Sequence, residues 1–350
     1  MSRNKRITIY DIAKEAGVSV ATVSRVYNES ANVSEKKREE IKRILKKYNY
    51  VPDAFAKGLR ETQTQTLGII AADLRNPFFS QLLVECEKIA AMSGYTVFSC
   101  DSLESDEMEL GHFMRLNGQK VDAIINMGGN SEKARRSEPY LNCLKEVCSR
   151  IPVVTTGYVD HENMYSVMTD EARAMRTLLE YLINMGHREI AFIGGRADVR
   201  STLIKREQFI ATLQKKGLFC ASSYIIEGGY DKESGYQSMR ELLMKNHMPS
   251  AVIAVNELTA LGAMKALRER KINIPNELSL ACFDNTFISE TTQPALTTLG
   301  CDYSKFSKKL IYTALDAIEG RTPPGISYVE SAFVIRQSVA ERQMGQMYET

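Results

Sequence analysis

The 350-residue chain predicts a small all-α helix-turn-helix headpiece followed by an α/β core of two parallel-sheet lobes. Three observations carry that reading. Two short helical patterns flank a Gly-Val-Ser turn within Thr8 to Asn28, TIYDIAKEAGVSVATVSRVYN, the layout of an element that reads DNA. Charge is divided along the chain: residues 1 to 61 hold 14 Lys+Arg against 8 Asp+Glu, and the remainder holds 31 against 35. A basic module on a mildly acidic body confines phosphate attraction to one end, which the chain total of +2 conceals. Beyond residue 66, short apolar runs alternate with amphipathic stretches, the order of strands and helices in an α/β protein.

Thr8 starts the first helix, its hydroxyl placed to accept from the backbone three residues on, and Asp11 adds negative charge to the first turn. Ile9, Ile12, Ala13 and Ala16 make its apolar face. Gly17 supplies left-handed backbone for the exit, and Ser19 caps the second helix, which starts at Val20. Val23 turns inward with Val26 beside it, leaving Val20, Ala21, Thr22, Ser24 and Arg25 for the groove. Arg25 can donate two hydrogen bonds to a guanine, worth about 1–3 kcal/mol of discrimination. Val20 and Ala21 can reward only an apolar partner such as a thymine methyl, and hydroxyls position rather than specify. Ser34 caps a third helix whose Ile41, Ile44, Leu45 and Tyr48 close a three-helix core. Pro52 stops that helix and Asp53 can cap another, Ala54 to Leu59, too short to stand alone and expected to form on binding.

After a polar linker, Thr62 to Thr66, strands are predicted at Leu67 to Ala72, Thr96 to Cys100, Val121 to Met127, Pro152 to Thr156, Ile190 to Ile193, Ile225 to Gly228, Ala251 to Val255 and Leu278 to Phe283. Continuous apolar strands separated by helices imply parallel sheets covered on both faces, and about 290 residues exceed one small core. Two lobes are the natural division.

Tyr10-Asp11-Ile12-Ala13-Lys14-Glu15-Ala16-Gly17-Val18-Ser19, continuing through Thr22-Val23-Ser24-Arg25-Val26 to Asn28, closely resembles the start of the lactose and galactose repressor family. The resemblance implies that Val20, Ala21 and Arg25 face base edges, while Tyr10, Ser19, Thr22, Ser24 and Asn28 hold phosphates. It makes the short helix a hinge, with Leu59 the apolar wedge in the minor groove at the operator centre and Ala56 and Gly58 allowing close approach. The core becomes periplasmic-binding-protein-like, its chain crossing between lobes near residues 160 to 165, 290 to 295 and 325. The expected divisions are a headpiece over 1–52, hinge helix and linker over 53–66, and an effector-binding and dimerisation core over 67–350. Within that core the N-lobe takes about 67–161 and 294–325, the C-lobe about 162–293 and 326–343.

Ligands of parallel lobes sit beyond the carboxyl ends of strands. There, the loop Asn76-Pro77-Phe78-Phe79 resembles the sugar-contacting loop of ribose-binding proteins and several repressors. Pro77 can instead simply start a helix whose phenylalanines are core. Asn256 and Asp284 match polar cleft positions of the family and suit a polyhydroxylated ligand, or else cap the helices that follow. Three departures bear on the ligand: Gly157 where the family often supplies an acidic residue, Lys205 where an arginine clamps the effector, and Cys301 where a polar residue is common. Lysine is a point charge rather than a planar fork. With Arg75, Arg196 and Arg200 in nearby loops, a sugar phosphate stands beside a neutral sugar as the expected effector.

Enzyme chemistry finds little support: none of the four histidines sits in a nucleophile motif, and His187 is read as a helix-ending donor to exposed carbonyls. Seven scattered cysteines form no metal array, and no cofactor is implied. The odd count and the lack of a signal peptide favour reduced thiols in the cytoplasm, and no stretch is apolar enough to span a membrane. The expectation is a cytoplasmic homodimeric repressor of carbohydrate-utilisation genes, bound to palindromic operator DNA and controlled by a small sugar or sugar phosphate. The polar tail, Glu341 to Thr350, lacks the leucine heptads of tetramers. Ser304 to Lys308 does not match the pattern of family members that take a phosphorylated protein as corepressor. The rival readings are a solute-binding protein of a transporter and an enzyme on the α/β core.

Overall fold

A computed structural model describes residues 7–27, 33–48, 63–158, 160–218 and 222–342. The chain divides into two units, Met1–Thr64 and Gln65–Thr350.

In the first unit, α1 (Ile9–Glu15), α2 (Val20–Tyr27) and α3 (Glu35–Lys47) surround a single apolar cluster. Thr8 and Asp11 form a reciprocal capping box, with the Thr8 amide donating to the Asp11 carboxylate at 2.8 Å. Gly17 sits at φ +61°, and the Val18 amide returns to the Ala13 carbonyl at 3.0 Å, so the exit of α1 is satisfied by backbone alone. Ser19 Oγ accepts the Thr22 amide at 3.2 Å and opens α2. Ser34 differs from expectation: its side chain makes no capping bond, and its carbonyl accepts from Lys37 and Arg38 instead. Ile12, Ala13, Ala16, Val23, Val26, Ile41 and Ile44 are buried together. Lys47 reaches Glu15 at 2.7 Å and ties α3 to α1.

The second unit holds two six-stranded sheets. The N-lobe sheet runs β11-β5-β4-β3-β1-β2, built from β1 (Thr66–Ala71), β2 (Thr96–Asp101), β3 (Ala123–Met127), β4 (Val153–Thr155), β5 (Met164–Thr169) and β11 (Ile326–Val329), all parallel. The C-lobe sheet runs β12-β10-β9-β8-β6-β7, built from β6 (Ile190–Ile193), β7 (Ile225–Ile226), β8 (Ala251–Ala254), β9 (Ser279–Phe283), β10 (Thr297–Cys301) and β12 (Ser331–Val334). Here only the β10–β12 pair is antiparallel. Strand alternation feeds two cores per lobe. Leu67 and Ile69 of β1 pack under α4 (Pro77–Met92) and α12 (Tyr303–Ile318), whereas Ile70 joins Phe113 of α5 (Asp106–Gly118) and Tyr140 of α6 (Glu138–Cys148) on the other face. In the C-lobe, Ile190 and Phe192 pack with α7 (Glu171–Asn184) and α8 (Arg200–Lys215). Ala191 and Ile193 pack against α9 (Lys232–Leu243) and α10 (Glu257–Glu269). A short α11 (Phe287–Thr291) follows β9.

Sheet membership corrects the lobe boundaries. The chain crosses between Thr169 and Glu171, between Cys301 and Tyr303, and between Val329 and Ser331. These points lie downstream of the expected 160 to 165, 290 to 295 and 325. The reason is that Met164–Thr169 and Thr297–Cys301 are strands rather than connectors. Rich in threonine and serine, they pair on both sides and have no long apolar run to announce them.

Candidate functional site

Val23 and Val26 turn α2 inward, and residues at about 100° spacing on the opposite face are Ala21, Ser24 and Arg25. Ala21, Arg25 and Tyr10 are exposed, while Thr22 and Ser24 are half-buried. Val20 is half-buried against the headpiece core, so only part of its side chain remains for a base. The Ser19 and Thr22 hydroxyls lie 2.9 Å apart and share a hydrogen bond. Asn28, Ala56 and Leu59, together with Phe55 and Gly58, lie outside the described residues.

In the core, a cavity of about 380 Å³ lies between the lobes, and Asn76, Phe78, Phe79, Lys205, Asn256 and Asp284 all line it. The first three come from the N-lobe loop after β1 and the start of α4. Asn76 caps α4, its side-chain oxygen accepting the Phe78 amide at 3.1 Å. Phe78 meets Phe79, Tyr303 and Phe306 edge to face at centroid distances of 5.2, 5.8 and 6.4 Å, so the rings belong to the core and to the cavity wall at once. Asn256 is committed inside the protein: it accepts the Thr259 amide at 2.8 Å as cap of α10 and donates to the Tyr230 carbonyl at 2.8 Å. Its part is to shape the wall.

Asp284 is the opposite case. Its φ of +94° is costly for a side chain larger than glycine, by about 1–3 kcal/mol. The surroundings hold it there: the Tyr303 hydroxyl donates to its carbonyl at 3.0 Å, and its amide donates to Leu299 at 3.1 Å. Just beyond, the buried Glu257 carboxylate accepts both the amide and the hydroxyl of Thr286. Burial, then the Glu257 charge, pushes the Asp284 carboxyl up to about 8.

Lys205 is buried, ion-paired with Glu171, and 5.0 Å from the centre of the Phe283 ring. The sequence reading missed Glu171, the first residue of α7, and Glu132, in the short 3₁₀ turn Gly129–Glu132 after β3. Both line the cavity. Burial, followed by the Glu171 charge, raises Glu132 to about 7. Gly157 has no room for the acidic side chain the family often places there, because an added Cβ would lie 2.4 Å from the Ser131 carbonyl oxygen. The neighbouring Glu132 supplies a carboxylate instead. A signal existed in Glu132, an isolated acid just after a strand end and a Gly-Gly pair, but no spacing rule links it to the cleft.

Arg196 and Arg200 line the cavity; Arg75 does not, and pairs with Asp73 at 2.9 Å on the surface. Arg196 of the C-lobe bridges Glu104 of the N-lobe and its own neighbour Asp198, both at 3.0 Å. Beside it, the Ala134 amide donates to Asp198 at 2.8 Å, and Lys133 pairs with Val199 in an antiparallel bridge. Arg200 lies over the Tyr158 ring at 4.9 Å. These contacts strap the lobes together across the mouth.

His187 differs from expectation in its partners: it is buried between Ser250 Oγ at 2.9 Å and the Ala340 carbonyl at 3.1 Å rather than at the carbonyls of its own helix, and burial lowers its pKa to about 4, which leaves the donor role and removes the cationic one. Among the described residues no group of His, Cys, Asp and Glu could hold a metal ion, and no helix is long and apolar enough to cross a membrane.

A helix-turn-helix unit joined to a two-lobed α/β core with an interlobe cavity defines a transcriptional regulator with a DNA-binding headpiece and a ligand-responsive body. The chain belongs to the lacI family of bacterial regulatory proteins. That family model matches residues 8–53, and a periplasmic binding protein-like domain matches 179–339. Catabolite control protein A of Priestia megaterium is 34% identical over 295 residues, covering 84% of this chain and 87% of that protein. The PurR repressor of Histophilus somni (strain 2336) is 28% identical over 333 residues, covering 95% and 98%. Among solved structures, the lac repressor dimer bound to operator and the anti-inducer ONPF superimposes with a TM-score of 0.85 at 25% identity, covering 96% of this chain and 100% of that one. These relatives are regulators rather than enzymes.

Proposed function

We propose that the chain is a cytoplasmic, homodimeric repressor whose affinity for a palindromic operator is set by a small polyhydroxylated effector in the interlobe cavity. One observation carries the reading: the cavity is lined by residues of all three crossings, Thr169 to Glu171, Cys301, and Tyr328 with Ser331. A ligand there touches the segments that change when the lobes rearrange. The lac repressor structure, a dimer on its operator, and the complex of the regulator CelR with cellobiose at a TM-score of 0.71 support the same division of labour. Arg25, Ala21 and Val20 are proposed to face base edges, Tyr10, Ser19, Thr22, Ser24 and Asn28 to hold phosphates, and Ala56 and Leu59 to act at the operator centre.

The test is selection of binding sites from random duplex DNA by the full chain. An inverted repeat is expected, and sites without one would refute the dimeric reading. Arg25→Ala should relax selection at a single symmetric base pair, by about 1–3 kcal/mol, while binding elsewhere in the site keeps its pattern.

A further inference from the structure

We propose that the effector is cationic: a polyhydroxylated amine of monosaccharide size, such as an amino sugar, rather than a neutral sugar or a sugar phosphate. The inference rests on the reading of the cavity as an effector site and assigns the charge of its occupant.

The heart of the cavity holds more carboxylates than cations. Glu132 comes from the N-lobe, Glu171 from the crossing into α7, and Asp284 from the end of β9, and all three line the same space. Lys205 is the cation among them, and Glu171 already holds its ammonium. Glu132 is left with Ser201 as its hydrogen-bonding neighbour. Asp284 makes no side-chain hydrogen bond or ion pair among the described residues, although its backbone is held at φ +94° and it lines the cavity. A partly desolvated carboxylate without a partner is destabilising, so one kept in strained backbone at a cavity wall is poised for a partner that arrives from outside.

That partner is a donor with positive charge. Ammonium supplies three N–H donors, and to a carboxylate it makes charge-assisted bonds roughly twice as strong as neutral ones. A phosphate meets fewer receptors. Two rim cations are engaged, Arg196 by Glu104 and Asp198 at 3.0 Å and Lys133 by Asp106 at 2.6 Å. Arg200 is stacked on Tyr158, a contact that leaves its N–H donors for an anion. An anion would therefore depend on Arg200 at the rim, and deeper in it would approach three acidic side chains with a single paired ammonium among them. The phenylalanine wall is compatible with the choice, since Phe78 and Phe79 present apolar surface to a sugar ring and quadrupoles to a cation.

The directions in which these carboxyl groups are shifted agree with this geometry. Burial and then Glu257 raise Asp284, with Lys205 opposing and Glu171 reinforcing. Burial and then Glu171 raise Glu132, with Lys205 and Ser201 opposing. Both acids are thereby biased toward the neutral form, and a cation beside them would favour the charged form.

The experiment is calorimetry on the full-length protein with matched probes: glucose, galactose and mannose, their 2-amino counterparts, and their 6-phosphates, each also scored for its effect on operator affinity. At least one amine should bind about tenfold or more tighter than its parent sugar, with the corresponding phosphate weakest of the three. Asp284→Asn keeps size and tolerates left-handed backbone, and Glu132→Gln is isosteric; each should bring the amine down to the affinity of its parent while thermal unfolding remains cooperative. A neutral sugar that binds as tightly as its amine, or a phosphate that binds more tightly than either, overturns the charge assignment and leaves the effector site standing. If no probe of any class binds or alters operator affinity, the effector-site reading falls together with the inference.

Discussion

Removing Arg196 tests whether the mouth of the cavity is a latch or a ligand contact. Its guanidinium joins the lobes through Glu104 at 3.0 Å, and the two side chains keep 35% and 42% of their surface exposed. A pair so exposed is screened and is worth about 0.2–1 kcal/mol. If the pair exists only when the lobes are closed, Arg196→Ala lowers the closed-to-open ratio by a factor of about 1.4–5. Effector affinity should fall by up to the same factor. Stability to urea should hardly move, because the four sheet-facing cores lie elsewhere and the Ala134–Asp198 and Lys133–Val199 backbone contacts persist. Calorimetry on wild type, Arg196→Ala, Glu104→Gln and the double variant measures the coupling, and raising the salt should shrink it. Additivity of the two changes, or a loss beyond about twentyfold, would refute the latch and make Arg196 a direct contact to the effector.

Three further outcomes are expected. Glu257→Ala strands the buried Thr286 amide and hydroxyl, at about 1–3 kcal/mol for each donor, and loosens the Asp284 loop; urea unfolding should show the loss and effector titration a weaker site, while headpiece folding is untouched. Asp284 is raised from 3.8 to about 8, so the folded state holds the proton that the unfolded state releases, and the stability it contributes is lost as pH rises through that window. Unfolding curves of ligand-free Asp284→Asn between pH 4 and pH 8 should therefore be flatter than wild type. His187 has the reverse sign: lowered from 6.5 to about 4, it favours the folded state above pH 6.5 and costs stability as pH falls toward 4, a slope that His187→Gln should remove.

The headpiece was legible because its signals are local. The Thr8 and Asp11 box, the left-handed Gly17 and the Ser19 cap each act within four residues, and the apolar spacing from Ile12 to Ile44 defines one small core. Strands buried on both faces were legible as apolar runs, such as Ile190–Ile193. Met164–Thr169 and Thr297–Cys301 were not, since what makes them strands is pairing with segments far along the chain: Met164–Thr169 with Ile326–Val329, Thr297–Cys301 with Ser331–Val334. The cavity followed the same division. Asn76, Asn256 and Asp284 follow strand ends and could be read there, although for Asn256 the capping alternative describes its bonds. Glu132, Glu171 and Lys205 meet only in space: 39 positions separate the two acids, and their relation depends on where the chain crosses between lobes.

The energies also limit what can operate the switch. An effector equally attracted to both lobe arrangements shifts nothing, and moving an equilibrium from 1:99 to 99:1 takes about 5.5 kcal/mol of differential affinity. The Arg196–Glu104 pair supplies at most about 1 kcal/mol of that, so the latch biases closure without deciding it. Contacts to one lobe alone cannot decide it either, because they survive any rotation of the other. What can is a ligand held simultaneously by Glu132 on the N-lobe and by Asp284 on the C-lobe, since opening separates it from one of them. Opening breaks one of these contacts, about 1.5–3 kcal/mol for a hydrogen bond to a charged group, so other contacts across the cleft supply the rest. A ligand of either charge therefore needs further contacts spanning the cleft, and a positive charge raises the share that the one broken acid contact supplies.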